Sequence, residues 1–168
     1  DRSPANIEIC GDGIDNDCDG LTDLACATPC EVAAFERSYL GCEYYAVSTM
    51  NSLLVTAFNN NFAIVVNNPN ATPVNVLITK GSTTHVNEAI PANTVREYLL
   101  PLDLTLKNAD QNLVSVANGA YRIVTDQPVA VYQFNPFDYD IAGTNSHTND
   151  ASLVLPKHVL TGNYMVTA

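Results

Sequence analysis

Between Cys10 and Cys26 the chain reads CGDGIDNDCDGLTDLAC, with five aspartates and three cysteines. No Lys or Arg occurs between Arg2 and Arg37, so nothing close in sequence neutralises these carboxylates. Like charges in such a run repel and favour a solvated coil unless something positive gathers them. Large apolar residues are scarce here, and order must come from disulfides or a bound cation.

The spacing points to calcium rather than to a merely solvated acidic linker. Against the calcium-loop template, Asp15, Asp17 and Asp19 occupy positions 1, 3 and 5, and Gly20 occupies position 6. Calcium takes six to eight hard oxygens, so alternate carboxylates converge while a glycine makes the sharp bend. Leu21 would contribute its carbonyl at position 7, and Asp23 a direct or water-mediated contact at position 9. Cys26 replaces the usual final glutamate, so a disulfide there would close the loop covalently. Asp12, Glu8, carbonyls or water would then complete the shell. Magnesium resists dehydration and copper prefers nitrogen or sulfur, which leaves Ca2+ as the expected ion.

Five cysteines, four of them before residue 31, point to an oxidising compartment. No C-x2-C knuckle supports zinc. Cys10 and Cys18 flank the aspartate turn and are expected to pair, with Cys30–Cys42 as the second pair. That second bridge conflicts with the helix signals in TPCEVAAFERSYLG, residues 28–41. Thr28 reads as an N-cap, Pro29 as the first helical residue, Glu31 as the capping-box partner and Gly41 as the terminator. A continuous helix would hold Cys30 and Cys42 about 18 Å apart, whereas bridged Cα atoms lie within about 7 Å. Either the helix is short and the chain returns, or Cys26 and Cys42 have other partners.

From Glu43 onwards, short apolar runs alternate with turn residues. FAIVVNN ends at Asn-Pro-Asn (68–70), and PVNVLITKG places Val74, Val76 and Ile78 on one face. THVNEAI, TVREYLL, LVSV, AYRIVT, VAVYQF and ASLVL follow, with breaks at 91–93, at Asn118-Gly119 and at 126–128. Closely spaced strands without helical patterns between them predict a β-sandwich. The expected divisions are an acidic Cys-rich motif at 1–27, a short helical connector at 28–42 and a β-sandwich-like domain at 43–168. The final GNYMVTA reads as a strand without a closing turn, so the domain is expected to be incomplete, with an edge open to self-association.

Two stretches carry family resemblances. ICGDGIDNDCDGLTD resembles the thrombospondin type-3 calcium repeat, and more closely the short Cys/Asp-rich metal-binding motif of bacterial secreted proteins, over about residues 8–26. RSYLGCEYYAV, FAIVVNNPNATPVNVLIT, GAYRIVTDQPVAVYQFNP and NDASLVLPKHVL resemble the bacterial form of the IgG-Fc-binding-type N-terminal domain, over roughly residues 37–168. That family's name does not itself imply antibody binding.

Other constellations are weaker. His85, His147 and His158 lie on separate segments, and Ser146, His147 and Asp150 lack a nucleophile elbow. Phe137 and Tyr139, on the loop FNPFDYDIAG, are candidates for a partner surface. Asn70-Ala71-Thr72 matches a glycosylation sequon but reads more simply as a turn. A net charge of −11 argues against nucleic acid, and no apolar run is long enough to insert in a membrane. The expectation is a non-enzymatic, extracellular or cell-surface, calcium-binding structural or adhesive protein that meets a protein or cell-surface partner. The alternatives are a copper or other transition-metal protein, and the noncatalytic part of a larger secreted hydrolase.

Overall fold

The computed structural model describes residues 2–4, 6–20, 22–23, 26–49, 62–103, 106, 116–135 and 151–162. The protein is mainly β. A short helix, α1 (Pro29–Phe35), precedes β1 (Gly41–Ala46), β2 (Phe62–Asn68), β3 (Val74–Lys80), β4 (Thr83–Ile90), β5 (Thr94–Leu100), β6 (Tyr121–Phe134) and β7 (Ala151–Val154). Every strand pairing among the described residues is antiparallel, which suits the expected sandwich.

Strand β6 organises the sheet. Its first residues, Tyr121–Thr125, pair with β3 and β1, and its last, Ala130–Phe134, pair with β2 and β7. One strand therefore serves two faces, β4-β3-β6-β1 and β5-β2-β6-β7, an arrangement in which a bent strand makes the corner. The expected break at 126–128 is instead a bend within one continuous strand. Gly41 faces Val129 while Glu43 faces Val124, so two steps on β1 span five on β6. Pro128 is tolerated because it falls in this bulge, between the ladders to β3 and β2, where no N–H is required.

The two inner faces form the core. Val74, Val76 and Ile78 are buried as their alternation predicts, and they meet Ile64, Val66, Ile123 and Val131. Burial of each such side chain contributes roughly 1.5–3 kcal/mol. Tyr121 stacks on Phe62 with centroids 5.6 Å apart, and donates its hydroxyl to the Pro101 carbonyl.

A buried amide ties three turns together. Asn68 is fully buried and donates from Nδ2 to the carbonyls of Thr72, Ile90 and Pro91. Its Oδ1 accepts from the Asn70 backbone N–H and from Asn70 Nδ2, which also donates to the Pro128 carbonyl. The β2–β3 turn, the β4–β5 turn and the β6 bend are thus bonded to one another. The sequon nitrogen of Asn70 is spent in this network, which favours the turn reading of 70–72.

The capping box at Thr28 forms as predicted. Its hydroxyl accepts from the Glu31 N–H, and the Glu31 carboxylate accepts from the Thr28 N–H at 2.7 Å. The helix is shorter than expected. It stops at Phe35, Arg37 takes a φ of 52°, and Gly41 starts β1 rather than terminating the helix. This return brings Cys42 back to Cys30, with Cα atoms 5.7 Å apart in a disulfide. Gly41 is needed for another reason: a Cβ there would lie 2.5 Å from Pro156 Cβ.

The turn at Asn118-Gly119 is present, with Asn118 at φ 56° and the Gly119 N–H bonded to the Val116 carbonyl. Most of LVSV before it, and the final segment YMVTA, lie outside the described residues.

Candidate metal centre

Residues 6–20 contain no helix or strand. The chain instead turns at positive φ, at Gly11 (80°), Gly13 (71°), Cys18 (60°) and Gly20 (90°). Gly20 makes the bend expected at position 6 of the loop template. Its N–H donates to Asp15 Oδ2 at 3.1 Å, folding the loop back on its first carboxylate.

Burial in this region inverts the usual order. Ile7 and Ile9 are 89% and 61% exposed, while Glu8 between them is only 7% exposed. Asn16, 4% exposed, holds that arrangement. Its N–H donates to both Glu8 oxygens at 3.2 Å, and its Oδ1 accepts from the Ile9 N–H at 2.9 Å. Its carbonyl accepts from Ser3 N–H, and its Nδ2 donates to Asp12 Oδ2.

The result is a group of three carboxylates. Glu8, Asp15 and Asp17 each offer an oxygen, and these oxygens lie within 4.8 Å of one another. Two oxygens bound to one calcium at about 2.3–2.6 Å cannot be farther apart than about 5 Å, so the group fits that ion. Asp15 Oδ1 is buried and accepts no hydrogen bond. An unsatisfied buried acceptor costs about 1–3 kcal/mol, and a charged one more. The ion pairs elsewhere in the protein, such as Lys80–Asp103 and Glu43 with Arg122 and Lys157, bring no cation to these three.

The remaining sequence candidates lie differently. Asp12 accepts from the Ile14 N–H at 2.8 Å and from Asn16, which makes it a brace for the loop. Asp23 accepts from the N–H groups of Gly11 (2.7 Å) and Gly13 (3.2 Å). Those glycines aim their amides at a common point, and successive amides in such turns attract an anion. Asp19 is exposed and donates its N–H to Asp17 Oδ1. None of Asp12, Asp19 and Asp23 belongs to the three-carboxylate group, and Leu21 lies outside the described residues. Glu8 enters from outside the twelve-residue template. Asn16 gave no signal of its hub role, because its partner Glu8 is eight residues back.

The expected Cys10–Cys18 bridge is corrected. Cys10 pairs with Cys26, Cα atoms 5.5 Å apart, and Cys18 is a free, exposed thiol. Cys18 falls at a left-handed turn between Asp17 and Asp19, whereas Cys26 lies next to the Asp23 brace that already holds Gly11 beside it. The bridge thus closes the loop where a final carboxylate would otherwise stand.

Phe137, Tyr139, Ser146, His147 and Asp150 lie outside the described residues. His85 packs edge-on against Tyr121, and His158 Nε2 lies 3.0 Å from the Ser38 carbonyl, so both serve packing or backbone contacts. No helix among the described residues is long and apolar enough to cross a membrane. No family model matches the chain, and no curated protein or solved structure matches it.

Proposed function

We propose that this chain is a secreted or outer-surface, non-enzymatic protein in which a calcium-loaded loop stiffens the approach to a β-domain with a structural or adhesive role. The buried, donorless Asp15 oxygen beside the buried Glu8 carboxylate carries this reading. A divalent cation supplies the missing partner and offsets the repulsion among Glu8, Asp15 and Asp17. The two disulfides suit an oxidising environment, and the all-oxygen donor set suits a hard ion.

Calcium titration by calorimetry tests this, alongside proteolysis of residues 1–27. The native protein binds one ion and becomes protected in that segment. Asp15→Asn and Glu8→Gln abolish both effects, while Asp126→Asn, on the opposite module, leaves them intact. A titration without heat or protection overturns the reading.

The free thiol of Cys18 within the loop favours a second reading, capture of copper or another soft ion. Competition decides between them. Calcium-specific binding survives Cys18→Ser, whereas binding of a soft ion through sulfur is lost.

A further inference from the structure

The sheet edges are closed to different degrees. Beside β1 runs the segment 156–159, through the Gly41–Pro156 contact, the Lys157–Glu43 ion pair and the His158–Ser38 contact. Strand β4 is exposed and polar at Thr83, Thr84, Asn87 and Glu88, and its register with β3 slips between Ile78 and Thr79. Strand β7 has only four residues. Charge, bulges, shortness and cover are the usual protections of an edge.

Strand β5 has less of this protection: its Arg96 is paired with Glu88 of β4, which leaves Glu97 as its unpaired outward charge among the described residues. Its seven residues pair with β2 in unbroken register, and it contains neither Pro nor Gly. Among the described residues no strand pairs along its other side. On its outward face Val95 and Leu99 are 59% and 54% exposed and flank the exposed Glu97. Across the neighbouring strands the row through Glu97 continues as Val65, Tyr132 and Leu153, with Tyr132 and Leu153 also exposed. A long flat edge with free backbone donors and acceptors is a template for one more strand.

Charge selects the occupant. Residues directly opposite in an antiparallel pair share a face, so two copies related by a two-fold axis must match residues of equal parity. The register that sets Val95 over Leu99 also sets the two Glu97 side chains face to face. The neighbouring registers put Glu97 over Val95 or over Leu99. A chain of net charge −11 further repels its own copy.

We propose that β5 is a docking edge for an extended segment of another protein. That segment carries Lys or Arg opposite Glu97 and apolar residues opposite Val95 and Leu99. This rests on the adhesive part of the function proposed above and is independent of calcium. The calorimetric titration therefore fails or succeeds separately from the test that follows.

The test uses the full chain and two labelled peptides, in which threonine alternates with valine, lysine and valine, or with valine, glutamate and valine. Fluorescence anisotropy reads binding, and hydrogen exchange locates it. The lysine peptide binds and slows exchange along β5, and the glutamate peptide binds at least about tenfold more weakly. Glu97→Lys, at an exposed position, reverses that ranking. Equal binding of the two peptides, binding of neither, or an unchanged ranking in Glu97→Lys overturns the proposal. A concentration-dependent dimer through β5 assigns the edge to a second copy instead. Amides on the outer side of β5 already protected without peptide assign it to a segment of the chain itself, and either result also overturns the proposal.

Discussion

Between Ile7 and Asp17 the chain buries Glu8, half-buries Asp15 and Asp17 and leaves Ile7 and Ile9 outside, whereas between Phe62 and Phe134 the buried side chains are mostly apolar. The β-domain is held by an apolar core and continuous ladders, so its stability comes with the chain. The acidic module has a disulfide, a set of aspartate-capped turns and three facing carboxylates, with no basic side chain paired to those three among the described residues. One region carries its own cohesion, and under the function proposed above the other depends on its solution. The two should therefore respond to different perturbations.

The largest effect is expected in the β-domain. Asn68→Ala leaves the Thr72, Ile90 and Pro91 carbonyls and the Asn70 N–H without their buried partner. It should cost about 3–4 kcal/mol in urea unfolding, with calcium protection of residues 1–27 unchanged. A loss below about 1 kcal/mol would mean that water replaces the amide and the three turns are not coupled through it. Next comes the double change Cys10→Ser with Cys26→Ser. Opening a loop of sequence separation 16 should cost about 3 kcal/mol, confined to the acidic module. A comparable drop in the stability of the β-domain would show that the two regions fold as one.

The third change sharpens the contrast by its sign. In chelator, Asp15→Asn should stabilise the acidic module by about 1–2 kcal/mol, because it removes one of three facing charges. In saturating calcium it should destabilise the same segment, because the ion loses a ligand. Exchange rates of the Gly11–Gly20 amides read both signs, and the same sign under both conditions would sink the metal assignment.

The smallest effect is electrostatic and belongs to the β-domain. Glu43 accepts from Lys157 Nζ and Arg122 Nε, each at 2.8 Å, and from the Tyr45 hydroxyl. Lys157 foremost, with Arg122 and Tyr45, holds its carboxyl down from the ordinary value of 4.5 to about 2. A depressed folded pKa gives stability that is present above the ordinary value and lost as pH falls towards 2. Lys157 is mostly exposed and Arg122 about half exposed, so solvent screening limits the contribution to about 1 kcal/mol. Glu43→Gln should be less stable than the native protein by that amount at pH 7 and equal to it near pH 2. A difference that persists at pH 2 would reassign the effect to packing.

Much of the fold was legible because its signals are local. Val74, Val76 and Ile78 alternate over a turn-bounded run, and Thr28 and Glu31 stand at capping-box spacing. Both patterns depend only on neighbours in sequence. The bend of β6 was not legible, since Pro128 ordinarily ends a strand and only the bulge opposite β1 makes it tolerable. The bridges show the same limit. Cys10, Cys18 and Cys26 are evenly spaced, so distance along the chain could not choose between Cys18 and Cys26. The left-handed turn at Cys18 and the Asp23 brace, both properties of the folded loop, do choose. The gathering of carboxylates was legible in the acidic stretch, and Glu8 was one of several ways to complete it, but its place beside Asp15 and Asp17 was not, because Asn16 fixes it rather than the template.

The bent β6 also sets an order of events. Strands β1, β2, β3 and β7 all pair with it, and β1 to β3 precede it in the chain. Until Tyr121–Phe134 has left the ribosome or a secretion pore, those three lack their common neighbour. The β3–β4 hairpin can form early, but it can join β2 and β5 in one sheet only when β6 arrives. Synthesis therefore leaves the first hundred residues waiting on a single late strand, and a nascent chain stopped before residue 121 should resist protease far less than one stopped after residue 134.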